Sequence, residues 1–557
     1  MKKALSLLLA LVLCLSVSMC FAEADEGITI DIALGYSEPH SMDPTICTGA
    51  DQYEILCHMY EGLLKYVPAD TVSGTNPNEA GAALVPGQAA SYTYDENTLT
   101  YTFTLRDDIF WSDGKPVTAQ DFVYSWQRLV DPATAAANGS ELNAIVLNAT
   151  EIANGEMEPS ELGITAIDDK TLEVKLANAC SYFLELCAHY TLYPLRQDVI
   201  EAAGDTWTDP STVISNGAYK MTEWVHDSYM ALEKNDQYYD YANLGPAKLV
   251  FHLSDSETTN MAAYQSGDYD FVSCISADQI ESLTASGDLF TNPRLNVTYL
   301  YMSMQNLPDW RVRAAILLAI DRENIVENVT QDGSTPASTL IPGGVTTSDS
   351  VSWTEAHPGS IFGWLQEQYP DYDLEDYGER CDLAVELYEA AVADGWDSSK
   401  TLDYQYNTSD TNKAVAEAVQ ADLDTVLGIN VTLNNIDSAG YTATISNGDF
   451  CLARLGYGIS FNDAIGYYNL FGTNGSFEYS GYTNEEYDAL VAQASTMPAG
   501  AERDEVLAQI ENLMYTDSGF SICPLYNASY TYCMKSDLQG VYYTATGSLT
   551  IFSYASR

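Results

Sequence analysis

The amino-acid sequence predicts an α/β protein with more than one lobe. Segments with strand periodicity alternate with segments of helical periodicity along the chain, which is typical of this class. One segment, Leu402 to Ile436, has the strand, helix, strand order of a βαβ unit. The length of 557 residues corresponds to roughly three or four domain-sized units. The 46% of hydrophobic residues is enough for a substantial core.

The βαβ unit is the clearest supersecondary motif. The strand Leu402 to Tyr406 leads through Thr408-Ser409 into a helix that ends at Gly428, a residue type that commonly stops helices. A second strand, Ile429 to Ile436, follows directly. We therefore expect two parallel strands joined by a right-handed crossover.

A turn followed by a capped helix is predicted near residue 115. The strand Thr98 to Arg106 alternates apolar and polar residues, and Asp113-Gly114 supplies a turn dipeptide. Thr118 fits an N-cap, and Asp121 fits the acid of a capping box. The helix is expected to stop at Asp131-Pro132.

The remaining elements follow from the same periodicities and from breaks at Pro and Gly. In chain order they are a strand from Ile28, a helix that ends in Tyr60 to Tyr66, a loop over Val67 to Asn78, a strand over Thr171 to Leu176, a meander over Ser215 to Asp240, and a helix over Asp309 to Val329 with Asp309 as cap. No internal repeat interrupts this order.

The N-terminus has the features of a signal peptide over residues 1–24. Lys2-Lys3 precede an apolar run from Ala4 to Val17, and Ala22-Glu23-Ala24 offers a small-x-small cleavage site. We therefore expect export, to the periplasm or to the extracellular face of the cell membrane. An uncleaved membrane anchor is the alternative, but the apolar run is at the short end for spanning a bilayer. A lipid anchor at Cys20 stays open, although Met19 is not the small residue that lipidation requires.

The charge balance narrows the range of partners. The chain has 79 Asp and Glu against 23 Lys and Arg, which gives a formal charge of −56. Nucleic acid and anionic lipid surfaces would be repelled by this charge and are not expected as partners. The acidic residues are spread along the chain, which favours a role in solubility over a localised acidic tail.

The cysteines and histidines give no sign of a metal site. Of 11 Cys, Cys14 and Cys20 lie in the signal peptide, and the other nine form no CxxC pair and no cluster at zinc spacing. The segment from Cys523 to Cys533 reads as a hairpin with a turn near Asn527. Its two thiols would either pair across the hairpin or stay free and buried.

No catalytic motif is present either. The sequence contains no GxSxG, HExxH, P-loop or GxGxxG pattern, and its six His residues are well separated. We therefore expect no catalytic residues and no cofactor. The chain has 40 Tyr, and aromatic rings with a hydrogen-bonding edge suit a binding cleft.

Several motifs stand in the order seen in one family. The run LVPGQAASYTYDENTLTYTFTLRDDIFWSDGKPVTAQDFVYSWQRLVDPATA resembles the signature of bacterial extracellular solute-binding proteins of family 5, which serve oligopeptide ABC transporters. YEGLL precedes this run, and SNGAYKMTEWV, MALEKNDQYYD and DWRVRAAILLAIDRENIV follow it. The resemblance extends from about Ile28 to near the C-terminus.

The resemblance implies a periplasmic-binding-protein-like class II fold with two lobes, hinge closure and an extra domain. Residues 28–66, 192–297 and 522–557 would form a discontinuous first lobe, residues 67–191 the extra domain, and residues 298–521 the second lobe. A monomer would capture an oligopeptide between the lobes and deliver it to the permease subunits of an ABC transporter. Nickel complexes, oligosaccharides and signalling peptides are alternative ligands on this scaffold. A secreted hydrolase is a further alternative that no motif favours.

The resemblance also implies a set of peptide-binding residues. They are Ser37, Glu38, His40, Tyr301, Arg454, Gly456, Tyr457, Ser460, Asp463, Asn474 and Tyr526. Tyr301 and Tyr526 occupy positions of aromatic ligand contacts. Arg454 matches a position linked to the carboxylate end of the ligand, and an ion pair that packs the lobes is the alternative for this residue.

Two positions in this set depart from the family pattern. Gly456 is kept and Tyr457 replaces Trp, but Ser460 replaces the acid that pairs with the α-amino group of the peptide. A charge-assisted bond of this kind contributes about 1.5 to 3 kcal/mol, and serine has no charge to supply it. Asp463 is therefore a candidate for binding the amine, unless the ligand has no free amino terminus there.

Overall fold

The structure of the protein is a computed structural model. It describes residues 27–47, 49–69, 82–136, 138–273, 275, 277–459, 461–473, 475–546 and 549–557. The predicted signal peptide and most of the predicted loop Val67 to Asn78 lie outside these residues. Within the described ranges, every helix is too short or too polar to span a bilayer.

The described residues form four β-sheets. Their strands are β1 (Thr29–Ala33), β2 (Leu64–Pro68), β3 (Ala82–Pro86), β4 (Ala89–Asp95), β5 (Thr100–Leu105), β6 (Ile164–Asp168), β7 (Thr171–Lys175), β8 (Tyr219–Val225), β9 (Tyr229–Lys234), β10 (Lys248–His252), β11 (Phe271–Ser273), β12 (Leu289–Met302), β13 (Thr335–Pro336), β14 (Leu402–Asn407), β15 (Val431–Ile436), β16 (Leu452–Gly458), β17 (Ile522–Met534), β18 (Tyr542–Thr544) and β19 (Leu549–Ile551). The main sheet has 11 strands in the order β15-β14-β16-β12-β17-β11-β1-β10-β9-β8, with β13 paired to β17. The other sheets are β4-β5-β7-β6, β2-β3 and β18-β19.

The helices of seven or more residues alternate with these strands. They are α1 (Ala50–Met59), α2 (Ala119–Val130), α3 (Gln197–Ala203), α4 (Glu257–Ser266), α5 (Ala277–Ser286), α6 (Trp310–Ala319), α7 (Ser360–Gln368), α8 (Tyr377–Ala393), α9 (Asp410–Leu427), α10 (Ser438–Ile445), α11 (Glu485–Ala494) and α12 (Ala501–Met514). The described part of the chain is therefore a mixed α/β structure.

Two large hydrophobic cores lie along the main sheet. The first core combines buried residues between 30 and 271 with residues 530–555, and the second core is built from residues 295–526. Strands β12 and β17 run from one core to the other, and their mutual pairing changes register between Pro293 and Val297. These two strands therefore connect the cores through a continuous but irregular ladder.

The predicted βαβ unit is confirmed. Strands β14 and β15 are parallel, with Leu402 opposite Val431 and Asn407 opposite Ile436. The Ser409 hydroxyl caps helix α9 by accepting from the backbone N–H of Asn412 at 3.3 Å. Gly428 ends the helix with a positive φ of 65°, a conformation that costs glycine little.

The predicted capped helix near residue 115 is also confirmed. Helix α2 starts after Thr118, which forms the capping box with Asp121, and it ends before Asp131. Trp126 is fully buried, and its indole N–H donates to the carbonyl of Leu192 at 3.0 Å. The strand predicted before it appears as β5, and the predicted meander contains the antiparallel pair β8-β9.

The single helix predicted over Asp309 to Val329 is wrong in one respect. Asp309 caps α6 as expected, but the α-helix ends at Ala319. Asp321 caps a new turn by accepting from the Asn324 N–H at 2.9 Å. The backbone N–H of Asp321 donates to the distant carboxylate of Asp422 at 3.0 Å, so a tertiary contact replaces the helical hydrogen bond.

The hairpin predicted between Cys523 and Cys533 is wrong as well. Both residues lie on the single strand β17, which pairs with β12 on one side and with β11 and β13 on the other. Both thiols are free and fully buried, which confirms the second of the two predicted alternatives. All eight cysteines within the described ranges are free.

Candidate ligand-binding site

A cavity between the two cores is the candidate binding site. It has a volume of about 260 Å³. One wall comes from residues 140–145 and 182–186, next to the first core, and the other from residues 457–476, next to the second. The lining side chains include Glu141, Asn143, Tyr182, Tyr457, Phe461 and Asn469. Aromatic walls with a few polar groups are typical of ligand pockets.

Three neighbouring strands bring four of the predicted residues close together. Thr298 of β12 is paired with Gly456 of β16 on one side and with Tyr526 of β17 on the other. Arg454 lies two residues from Gly456 and therefore on the same face of β16. A Cβ atom on Gly456 would lie 3.2 Å from Nη2 of Arg454, so the glycine leaves room for the guanidinium. Tyr457 follows on the same strand.

Arg454 has no carboxylate partner among the described residues. Its Nη1 donates to Oδ1 of Asn407 at 3.2 Å, and its backbone carbonyl accepts from the Tyr441 hydroxyl at 2.5 Å. The nearby Tyr404 hydroxyl is buried and has no hydrogen-bond partner within the described ranges. Burial raises the pKa of Tyr404, and the positive charge of Arg454 partly opposes this shift. The guanidinium therefore keeps donors for an anionic group, in contrast to the predicted alternative of a packing ion pair.

Tyr457 is the predicted residue that lines the cavity most directly. It is half-buried, with its ring 5.5 Å from that of Phe477 and 6.2 Å from that of Tyr467. Burial raises the pKa of Tyr457, and the negative charge of Glu141 adds to the shift. Glu141 therefore acts electrostatically on the opposite wall of the cavity.

Tyr301 does not fit the predicted role of a ligand contact. Its side chain is fully buried, and its hydroxyl donates to the backbone carbonyl of Phe477 at 2.6 Å. Alternation along β12 places Tyr301 with Tyr299, on the face opposite to Thr298. Both tyrosines are part of the second core. Tyr526 is also largely buried, with 5% of its surface exposed.

Asp463 is not available to bind an amine in this structure. Its two carboxylate oxygens accept from Arg503 at 2.7 and 3.0 Å, and both side chains are buried. Oδ2 also accepts from the Ser181 hydroxyl at 2.5 Å, and Oδ1 accepts from the Ile465 N–H at 3.0 Å. The charge and lone pairs of this carboxylate are therefore already used, so its geometry does not support the predicted role of replacing the missing acid.

The three predicted residues after β1 lie apart from the cavity. Ser37 and His40 are exposed, and Nδ1 of His40 is 3.1 Å from Nε2 of Gln52. Glu38 binds the turn between β8 and β9, where Oε1 is 2.7 Å from Nδ1 of His226. The hydrogen bond and the charge of Glu38 raise the pKa of His226. The structure does not bring these residues into the wall formed by Tyr457.

Two predicted residues, Ser460 and Asn474, lie outside the described residues. Phe461 and Ser476, which are close to them in the chain, line the cavity. Among the described residues, no group of three or more His, Cys, Asp or Glu side chains could hold a metal ion.

Sequence reasoning missed the contact that joins the two cavity walls. We call this contact, between residues 181–185 and residues 461–463, the clasp. The Ser181 hydroxyl binds Asp463, and the ring of Tyr182 stacks on that of Phe461 with centroids 3.8 Å apart. The backbone N–H of Asn462 donates to Oε2 of Glu185 at 2.6 Å. No local pattern signals these contacts, since the hydrogen-bonded partners are 282 and 277 residues apart in the chain.

Sequence reasoning also missed Glu141. It sits in a polar, turn-rich stretch without a motif, and only the folded chain places it in the cavity wall. In a chain with 79 acidic residues, no signal in the sequence could have selected this one.

Comparisons with known proteins identify a family of ligand-binding proteins, in agreement with a cavity between the two cores. Residues 83–479 match the family described as bacterial extracellular solute-binding proteins, family 5 middle. The periplasmic oligopeptide-binding protein OppA of Salmonella typhimurium is 32% identical over 498 residues, which cover 88% of this chain and 85% of OppA.

Solved structures give the same result. OppA of Burkholderia pseudomallei has a TM-score of 0.75 at 30% identity and covers 94% of this chain and 97% of its own. OppA of Haemophilus influenzae in complex with RPPGFSPFR has a TM-score of 0.74 at 28% identity, with the same coverage of 94% and 97%. The predicted α/β, class II periplasmic-binding-protein-like fold is thus confirmed. The chain belongs to the bacterial extracellular solute-binding proteins of family 5.

Proposed function

We propose that the protein is an exported receptor that captures oligopeptides between two lobes and delivers them to an ABC transporter. The observation that carries this proposal is the cavity of about 260 Å³ between the two cores, with its aromatic and polar lining. The Salmonella relative is named as an oligopeptide-binding protein, and the Haemophilus relative was solved with the peptide RPPGFSPFR. Both names support peptide as the ligand class.

The proposed lobes follow the two hydrophobic cores. Residues 28–66, 192–297 and 522–557 form the first lobe, and residues 298–521 the second, with 67–191 as an extra domain. One core reaches from residue 295 to 526, while the other joins residues up to 271 with residues from 530 onward, which supports this division. The irregular pairing of β12 and β17 between the cores is a suitable place for a hinge.

The peptide would lie in the cleft in an extended conformation. Binding through the peptide backbone tolerates many sequences, as in strand addition, and aromatic walls accept varied side chains. The guanidinium of Arg454 has no acidic partner among the described residues, so it suits the carboxylate end of a peptide. The predicted contacts at Ser37, Glu38, His40 and Tyr526 would belong to other parts of the same cleft or to its closed state.

Closure of the lobes would signal that ligand is bound. The clasp forms only when the two cavity walls meet, so ligand that favours this arrangement shifts the population toward it. A monomer in this state would dock on the permease subunits, in the periplasm or at the extracellular face of the membrane. This cycle returns the ligand intact and requires no catalytic group.

Calorimetry with the refolded mature protein tests the function. The protein is unfolded and refolded to remove carried-over ligand and is then titrated with a mixed oligopeptide pool, with an oligosaccharide pool and with nickel–histidine complexes. Saturable heat with peptides alone supports the proposal, and saturable heat with either of the other ligands alone refutes it. Mass spectrometry of the recovered peptides distinguishes a receptor from a hydrolase, because a receptor leaves them uncleaved.

A charge variant tests the role of Arg454. Arg454→Gln should weaken binding of peptides with a free carboxylate by roughly 10- to 150-fold, the range for a charged hydrogen bond. Amidated peptides should bind the variant and the wild type equally. Lys220→Gln removes an exposed positive charge from β8 and serves as the matched control. Equal losses for both peptide forms would contradict the assignment.

A further inference from the structure

Glu141 is the acidic side chain of the cavity wall, and its geometry is fixed by two buried residues. Its Oε2 accepts from the Thr191 hydroxyl at 2.6 Å, and 26% of the side chain is exposed. Nδ1 of His189 lies 2.8 Å from the same hydroxyl oxygen and 3.6 Å from Oε2 of Glu141. A hydroxyl has one proton to donate. Thr191 therefore gives its proton to Glu141 and accepts from the Nδ1–H of His189.

This arrangement leaves the second carboxylate oxygen unused. The described residues place no donor on Oε1 of Glu141, and His189 is the only group among them that can pair with Glu141 as a cation. No Lys or Arg within the described ranges forms an ion pair with this carboxylate. The cavity wall thus presents a negative group with a fixed direction and spare hydrogen-bonding capacity.

The surroundings of Glu141 also favour a cation with hydrogen-bond donors. Oδ1 of Asn143, which lines the same cavity, is shielded from water and has no hydrogen-bond partner in the part of the chain that the structure describes. A shielded acceptor of this kind normally requires a donor from a ligand or a water molecule. The rings of Tyr182, Tyr457 and Phe461 complete the lining, and aromatic faces attract cations.

We propose that Glu141 binds the α-ammonium group of the peptide, with the side-chain oxygen Oδ1 of Asn143 as a second acceptor. This inference rests on the proposed peptide-receptor function. In the family pattern an acid at the position of Ser460 pairs with this amine, and here Glu141 supplies that charge from the opposite wall of the cavity. Asp463 does not supply it, because its carboxylate is paired with Arg503. The binding preference of the receptor is then for peptides with an unblocked amino terminus.

A charge-removing variant tests this proposal. Glu141→Gln keeps an acceptor for the Thr191 hydroxyl but removes the charge. Glu151→Gln removes the same charge from an exposed position on the short helix Ala149–Ala153 and is the matched control. Each refolded protein is titrated with a pool of random tripeptides that have free amino termini and with the same pool after acetylation.

We expect wild type and the Glu151→Gln control to prefer the free-amine pool. Glu141→Gln should bind that pool roughly 10- to 150-fold more weakly, the range for one charge-assisted hydrogen bond. It should bind the acetylated pool as well as wild type does, which also verifies that the variant is folded. Glu141→Asp should retain part of the preference.

Three results would overturn the inference, and they differ in what else they affect. If Glu141→Gln keeps the preference of wild type, another group binds the amine and the receptor function stands. If wild type binds both pools equally, the receptor recognises no amino terminus. If wild type binds neither pool, the peptide-receptor function itself is refuted.

Discussion

Replacing Asp463 by asparagine should destabilise the second core strongly. The buried Asp463 carboxylate accepts two hydrogen bonds from the buried guanidinium of Arg503, at 2.7 and 3.0 Å. The asparagine side chain has nearly the same shape but no charge, so the charge of Arg503 would stay buried without compensation. Removing one partner of such a pair costs about 3–5 kcal/mol. A folding unit of about 150–250 residues loses roughly 2–4 °C of its thermal midpoint per kcal/mol, so the midpoint should fall by about 6–20 °C.

Differential scanning calorimetry on the ligand-free protein measures this effect. Glu502→Gln removes an exposed carboxylate beside Arg503 and should leave the midpoint within about 1–2 °C of wild type, as surface changes usually do. The double variant Asp463→Asn with Arg503→Met removes both charges and should recover most of the loss. A fall of less than about 2 °C for Asp463→Asn, which corresponds to under about 1 kcal/mol, would refute the reasoning. The carboxylate would then behave as a solvated surface group.

Three further predictions concern pH and the thiols. Burial lowers the pKa of His58 to about 4, and the hydrogen bond to the Glu54 carbonyl opposes part of this shift. Nε2 of the folded, neutral ring accepts from the Phe552 N–H. Since the unfolded value is near 6.5, stability should fall by about 3 kcal/mol between pH 6.5 and 4, and urea denaturation of His58→Gln should show a smaller fall. Glu38 raises the pKa of His226 through a hydrogen bond and its negative charge. Their ion pair therefore gives its full stabilisation below about pH 6.5, the pKa of an unfolded histidine, and loses it as the pH rises through the pKa of the folded state. NMR titration should show the midpoint of His226 decreasing in Glu38→Gln, and an unchanged midpoint would contradict the pairing. Cys523 and Cys533 should both be alkylated after unfolding without reductant, whereas a disulfide-linked peptide in the digest would contradict the structure.

Local signals predicted the parts of the fold that local interactions determine. The capping box of Thr118 and Asp121 and the glycine stop at Gly428 each depend on residues within a few positions of one another. The break after Ala319 does not, because the N–H of Asp321 binds Asp422, 101 residues further on. The hairpin predicted in place of strand β17 is wrong for the same reason. The length of β17 is stabilised by pairing with three other strands, and none of them is adjacent in sequence.

The site was harder to predict than the fold. Alternation along β12 separates Tyr301 from Thr298, but it does not tell which face meets the core and which meets the cleft. Asp463 has the right residue type for an amine contact, yet its charge is neutralised by Arg503, 40 residues away. Glu141 and Tyr182 become cavity residues only when residues 140–186 meet the second core.

The acid excess of this protein means that position, and not charge alone, selects the group that binds a cation. With 79 acidic and 23 basic residues, the acidic side chains greatly outnumber the basic ones. Exposed carboxylates gain little by pairing with a cation, because water and salt already screen them. Asp463 is buried but already paired with Arg503. Glu141 lies in a partly enclosed cavity, where charge–charge attraction is stronger than at the surface, and its Oε1 receives no donor from the described residues. A peptide ammonium therefore gains most at Glu141, and the other acids contribute only a general attraction for cations.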